Sequence, residues 1–522
     1  MCTKRTGVSG YTPRVLRRPP GSAAPPAGGT EETPPATPAR APLLRRRWVQ
    51  RTVLFVAVFA VYFACPNGMR ADSIRAVSVA DSMVHRHTLQ LDHFRGVMPQ
   101  DGYGIDTVDG HLLPTFPWAD SIFAVPVVAA ADVLHKVGIG PGADASLSQP
   151  DYNDLEWELL TMALVGAATV VVMWEVCTLA LARIGDEVRR RRLALLAALV
   201  FAFCTSMLST ATRSYWQHGP DMLFLSLTLL LALRARTNPK SVRWMGVTLA
   251  AAYAMRPTAS VAVALFTLWV VLRHWRQLGW YLGGAAVVAL PWLWITHANW
   301  HTWLTPYYQP NRIGADPEFW QALAGNMVSP ARGLLVFSPV LALAIPGVAI
   351  KLRQRRFELL DAALILTVLA HWVAISAFPH WWGGDSYGPR FFSDMTPLLV
   401  VLGMPVLEWL GTVSLRTWRV TAAMVACTVA ALLSLFTNGQ MAVFASAHCW
   451  NNVPTDVDTD TSKLWNWGDP QFLRGAVRFL FGPNPRSQEI RRGGAGKYGC
   501  PWEPQVTGGP QSPPPAPQPA GG

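Results

Sequence analysis

Residues 183–192 read Arg-Ile-Gly-Asp-Glu-Val-Arg-Arg-Arg-Arg, and they lie between two apolar runs, 158–182 and 193–209, of near membrane-spanning length. A short connection this rich in arginine faces the cytoplasm by the positive-inside rule. The same chemistry returns at every second connection: Arg234 to Arg243, Arg273 with Arg276, Lys351 to Arg356, and Arg416 to Arg419. The remaining connections hold most of the Asp, His and Trp found outside the apolar runs. The working face therefore looks outward.

Composition agrees. Of 522 residues, 51% are apolar and only 15% charged, and the mean hydropathy is positive, as expected of a polytopic membrane protein. The net charge of +12 sits largely in the cytoplasmic connections and the N-terminal stretch, where orientation in the bilayer explains it without any nucleic-acid partner. The expected fold is all-α, with about eleven transmembrane helices near 49–66, 158–182, 193–209, 221–235, 242–256, 258–272, 278–296, 333–350, 358–378, 396–412 and 419–437. An odd count places the N-terminus inside and the C-terminus outside. The run 119–136 is apolar but contains Asp120 and Asp132, and spanning would move the arginines at 189–192 to the outer face. It is read as a helix lying in the outer interface.

The chain divides into a Pro- and Arg-rich, disordered cytoplasmic tail at 1–47, a membrane domain at 48–437 and an extracytoplasmic segment at 438–507. A disordered Pro- and Gly-rich end at 508–522 completes it. The first apolar run begins near Val49, too late for a signal peptide, and is read as a retained span. The large first outer loop occupies 67–157. Cys65, Cys177, Cys204 and Cys427 lie in or beside spans as small packing residues, whereas Cys449 and Cys500 fall where an oxidising compartment permits a disulfide.

Candidate chemistry gathers on the outer face. Asp72 follows the first span at once, in Arg70-Ala-Asp-Ser-Ile-Arg75, where a carboxylate at the membrane boundary could take a proton from an acceptor hydroxyl. The residues alone leave a second reading open, in which Asp72 caps the helix predicted over 73–87. His85, His87 and His93 are spaced poorly for a metal and read as solvated, and Asp109-Gly110 is first a turn signal. The loop Pro379-His-Trp-Trp-Gly-Gly-Asp-Ser-Tyr-Gly-Pro-Arg-Phe-Phe-Ser-Asp394 is more than an aromatic belt. Trp381 and Trp382 could stack on a sugar ring, while Asp385, Tyr387 and Arg390 supply hydrogen bonds and positive charge. Arg213, Arg256 and Arg332 stand at outer ends of spans, where arginine is costly and needs a lipid phosphate or a carboxylate such as Asp221. Asp456-Val-Asp-Thr-Asp460 lacks the glycine of a calcium loop and reads as a solvated segment.

Three local patterns carry a family resemblance: Asp72-Ser-Ile-Arg75 running on to Leu89-Gln-Leu-Asp-His-Phe94; Asp109-Gly-His111 before Thr115-Phe-Pro117; and Gly383-Gly-Asp-Ser-Tyr-Gly-Pro-Arg390. Ser329-Pro-Ala-Arg-Gly333 adds a fourth. Over residues 48–437 the chain resembles the GT-C class of integral membrane glycosyltransferases, similar in plan to the protein O-mannosyltransferases and the lipid A aminoarabinose transferase. The resemblance implies a cell-envelope enzyme that takes a sugar from a polyprenyl-phosphate donor in the bilayer. The sugar passes with inversion to a hydroxyl on a glycan, lipid or protein acceptor. It further implies Asp72 as the catalytic base and Arg256, Arg332 or Arg390 as the charge that holds the departing phosphate, and no metal or other cofactor is assigned; the expected substrate contacts are Arg75, Asp81, His111, Arg256, Arg332, Trp381, Trp382, Asp385, Tyr387 and Arg390. The alternative is a lipid-linked sugar flippase or other multi-span transporter, which would explain the helix break at Arg256-Pro257 but predicts an internal repeat that the sequence does not display.

Overall fold

The computed structural model describes residues 47–69, 72, 75–97, 104–140, 142–148, 155–309, 318–413 and 417–475. The expected tails at 1–46 and beyond 475, with Cys500, lie outside the described residues. Helix α1 (Arg47–Ala64) leads into a loop layer built from α2 (Ala76–Arg86), α3 (Val125–Lys136) and α4 (Ala143–Leu147). Within that layer, Asp109 and Gly110 both take positive φ and close a two-residue turn between β1 (Ile105–Val108) and β2 (His111–Pro114), which pair antiparallel in this otherwise helical chain. The bundle follows with α5 (Leu155–Ala180), α6 (Glu187–Phe203), α7 (His218–Arg234), α8 (Val242–Met255), α9 (Ser260–His274), α10 (Leu278–Trp300) and α11 (Phe319–Val328). It ends with α12 (Leu334–Phe337), α13 (Ala344–Arg353), α14 (Leu359–Ser376), α15 (Thr396–Thr412), α16 (Trp418–Val443) and α17 (Ala445–Cys449).

Among the described residues, seven helical stretches are long and apolar enough to cross a membrane. They differ from the eleven expected spans in identifiable ways. Helices α6, α7 and α8 have 17, 17 and 14 residues, and the expected span 333–350 is broken before the 10-residue α13, so all four fall short of the full hydrocarbon thickness as straight rods. The stretch Pro257–Trp300 counts once, although a single 3-10 turn at Trp275–Gln277 divides it into α9 and α10. Trp118–Lys136, expected to lie in the interface, is also long and apolar enough to span. Its Asp132 pairs with His85 at the end of α2 at 2.8 Å, which ties it to the loop layer.

Local chemistry fixes the helix ends. Asp186 caps α6 by accepting from the backbone of Val188 and Arg189, and Glu358 with Asp361 forms a reciprocal capping box at α14. The main core cluster lies in the bundle, where α5 packs on α6 and α7, α7 on α8, α8 on α10, and α13 on α15, and smaller clusters lie under the loop layer and the outer segment. The basic connections gather at one end. There Arg236 bonds Glu358 at 2.9 Å, Arg356 bonds Glu408 at 2.6 Å, and Arg243 donates to Gln277 at 2.8 Å. Helix α7 starts at the opposite end, about 25 Å away by its 17 residues.

Candidate active site

Four interruptions in the helices converge at that opposite end. Proline disfavours helical backbone in the residue before it, and Arg256, ahead of Pro257, adopts extended backbone (φ −151°, ψ 128°), so α8 stops at Met255. Helix α6 passes into a π-turn at Met207–Ala211 before the chain reaches Arg213 and α7. The stretch Arg390–Met395 is a 3-10 turn leading into α15, and the chain leaves α1 toward Asp72. Arg213, fully buried, donates to the carbonyls of Tyr62, Cys65 and Asn67, the last two at 3.0 and 3.3 Å. It thereby satisfies the open carbonyls at the end of α1 and anchors the approach to Asp72.

The centre of the site is ionic. Arg390 donates from Nη2 to Asp72 Oδ2, from Nη1 to the Gly383 carbonyl at 3.1 Å, and stacks 3.9 Å over the indole of Trp216. Its Nε faces His218 Nε2 at 3.4 Å, and Arg256 Nη1 lies against both nitrogens of the same ring, Nδ1 and, at 2.8 Å, Nε2. On its other side His218 Nδ1 lies 2.9 Å from Asp394 Oδ1. Asp394 Oδ2 in turn sits 2.9 Å from Arg256 Nη1. Asp221, one turn into α7, is fully buried beside them.

The glycines of the 379–395 loop have structural causes. Gly383 holds φ +72° while offering its carbonyl to Arg390, and Gly388, at φ +61°, leaves its missing Cβ only 2.8 Å from the Phe337 ring. From below, Arg332 donates to the carbonyls of Trp382 (2.6 Å) and Gly384 (2.9 Å) and to the side chains of Asn451 and Gln471 (both 2.8 Å). From the outer segment, Asn451 and Gln471 each donate to the Ser386 carbonyl at 2.9 Å. Asp458 accepts from Trp382 Nε1 at 2.7 Å and His380 Nε2 at 2.8 Å. Burial alone would raise the Asp458 carboxyl, yet these two bonds outweigh it and hold the group below the usual carboxylate range. The segment at 456–460, expected to be merely solvated, is thus a clamp on the loop. Lys463 stiffens it by donating to the Trp450 and Thr455 carbonyls at 2.6 and 2.5 Å, and burial pushes its ammonium down to about 8.

The structure brings together Asp72, Arg256 and Arg390 from the sequence candidates, and it distributes the others. Asp72 does not cap α2, whose N-cap position is Arg75. Asp81 is buried in the loop layer, bonded to Arg86 at 2.8 Å and His85 at 2.9 Å, and burial raises its carboxyl above the usual range against both partners. His111 pairs with Asp92 at 2.6 Å on an exposed face. Arg332 is committed to backbone and amide oxygens. Trp381 is buried against Gly325, Trp382 is held by Asp458, and Tyr387 donates to the Thr437 carbonyl at 2.6 Å. Asp385 faces Asn452 at 3.4 Å and His448 at 3.5 Å. Cys449 is disulfide-bonded. His218, Asp394 and Trp216 were not singled out by sequence reasoning. The available signal was a histidine and an acid at the polar ends of apolar runs, where burial of ionisable groups is costly.

Fold and site together define an α-helical, multi-pass membrane protein with an ionic centre where its broken helices meet. No protein-family model and no curated protein matches the chain. Among solved structures it is similar to ArnT from Cupriavidus metallidurans bound to undecaprenyl phosphate, at 13% identity over 77% of this chain and 68% of that one, with a TM-score of 0.47. It is also similar to the Archaeoglobus fulgidus oligosaccharyltransferase tethered with an acceptor peptide containing the NVT sequon, at 13% identity over 82% of this chain and 60% of that one, with a TM-score of 0.42.

Proposed function

We propose that the chain is a glycosyltransferase of the GT-C class that moves a sugar from a polyprenyl-phosphate donor to an acceptor hydroxyl on the extracytoplasmic face. The observation that carries this reading is the Asp72–Arg390 pair, joined across 318 positions of sequence and set beside Arg256 and His218. In the free enzyme Arg390 neutralises Asp72. A donor phosphate entering the site competes for the same guanidinium and leaves the Asp72 carboxylate available as a base. Asp72 then takes the proton of the acceptor hydroxyl as its oxygen attacks the anomeric carbon. The bond from that carbon to the phosphate oxygen breaks with inversion, and Arg390 stabilises the charge gathering on the departing lipid phosphate.

The sidedness follows from the arginine connections at the far end of α7, which the positive-inside rule puts in the cytoplasm together with the N-terminus. A transporter of lipid-linked sugar is the second reading, favoured by the break at Arg256-Pro257. Purified protein given a polyprenyl-phosphate sugar and an acceptor extract should release polyprenyl phosphate. Asp72→Asn should lower release by about 10²- to 10⁴-fold with the thermal transition unchanged. Undiminished release by Asp72→Asn, or donor flux across vesicles without any release, would overturn the proposal.

A further inference from the structure

At the basic end of the bundle, remote from the ionic centre, the connections enclose a cavity of about 800 Å³, the size of a small-molecule site. Its walls include Arg236, Trp269, Arg273, His274, Arg276 and Glu358. The single carboxylate is already engaged, since Glu358 accepts from Arg236 Nε at 3.2 Å and Nη2 at 2.9 Å. Among the described residues neither Arg273 nor Arg276 forms an ion pair, and Arg276 lies 5.7 Å over the ring of Trp275. Two guanidinium charges therefore face the cavity without a counter-ion.

The surroundings say which anion fits. Trp269 closes the back of the cavity at 5% exposure, while Trp275, Trp244 and Trp280 are each about two-thirds exposed (66, 65 and 65%) and Leu272 is 60% exposed beside them. Arg243 lies 4.9 Å over Trp280. Exposed tryptophans interleaved with arginines mark the level of lipid headgroups, with hydrocarbon on one side and water on the other. A soluble anion gains nothing from that apolar rim. A molecule carrying both a phosphate and acyl chains gains from the guanidinium groups and the rim together.

We propose that this cavity binds the phosphate headgroup of an anionic membrane phospholipid, with its acyl chains lying along Leu272 and Trp275. The site is separate from the one proposed for sugar transfer, and its test needs no activity. The full chain, purified into nanodiscs of phosphatidylcholine with and without phosphatidylglycerol, should retain phosphatidylglycerol through delipidation, measured by native mass spectrometry. Phosphatidylglycerol should also raise its unfolding temperature. Arg273→Gln with Arg276→Gln should weaken retention by about 10- to 30-fold, with the unfolding temperature in pure phosphatidylcholine unchanged. Arg189→Gln with Arg192→Gln removes equal charge from another exposed connection at the same end and should retain the lipid as the natural sequence does. Inorganic phosphate at millimolar concentration should neither stabilise the protein nor displace the lipid. Equal retention by both double variants, displacement by inorganic phosphate, or no retention by the natural sequence would each overturn the assignment.

Discussion

Replacing Asp394 with Asn should cost about 3–5 kcal/mol of stability, and Asp221 should limit that loss. Arg256 Nη1 and Asp394 Oδ2 are 2.9 Å apart with both side chains buried, and unit charges at that distance attract by about 6 kcal/mol at an effective dielectric constant of ~20. An amide in place of the carboxylate strands Arg256 and removes the partner of His218. A second acid within electrostatic reach of Arg256 is Asp221, whose two oxygens are buried and have no hydrogen-bond partner among the described residues. In the natural sequence burial and the repulsion from Asp394 both work against a charge on Asp221, with only Arg256 favouring one, so Asp221→Asn exchanges one neutral group for another and alone should shift stability by less than about 1 kcal/mol. Without Asp394 the repulsion vanishes and Asp221 becomes the counter-ion of Arg256. The double variant should therefore lose about 1–3 kcal/mol more than the two single losses combined. Unfolding in a titration with dodecyl sulfate, followed by tryptophan fluorescence, measures all four corners of the cycle. Strict additivity, or a single Asp221→Asn as damaging as Asp394→Asn, would refute the assignment of charges.

Acid should loosen the clamp on the 379–395 loop. Asp458 binds fewer protons folded than unfolded because its folded carboxyl is depressed, so its contribution is full above about pH 4 and is lost as pH falls through the folded value. The protection of residues 380–386 against hydrogen exchange, relative to the intrinsic rate at each pH, should fall below about pH 4, and Asp458→Asn should lower it at every pH. Gly325→Ala should destabilise by about 1–3 kcal/mol, because the added Cβ would lie inside the Trp381 indole, 2.6 Å from Cζ3. A melting temperature within 1 °C of the natural protein, on the order of measurement error, would show that the indole is free to move.

Much of this was legible in the chain itself. The arginine connections identified one end of the bundle, Arg256-Pro257 announced a helix break, and Asp109-Gly110 announced a turn, because each depends on a few adjacent residues. What escaped was partnership. His218 meets Asp394 across 176 positions and Asp72 meets Arg390 across 318, and no local pattern encodes which ion will find which. The same limit explains the tryptophans at 381 and 382. Their spacing suits a sugar platform, but the surfaces that bury them come from Gly325 and Asp458, distant in sequence. Asn451 and Gln471 carry no charge and no motif, and their role appears only when both are seen holding the Ser386 carbonyl.

That last contact sets a timetable. Ribosomes make the chain from its N-terminus, so Asp72, Arg256 and Arg390 are all synthesised before residues 451 and 471 exist. Arg332 must wait with two of its donors unanswered until the final described segment has emerged and folded back. The site is therefore finished last, and a chain released early would be embedded in the bilayer yet lack the fastening that gives its key loop a shape.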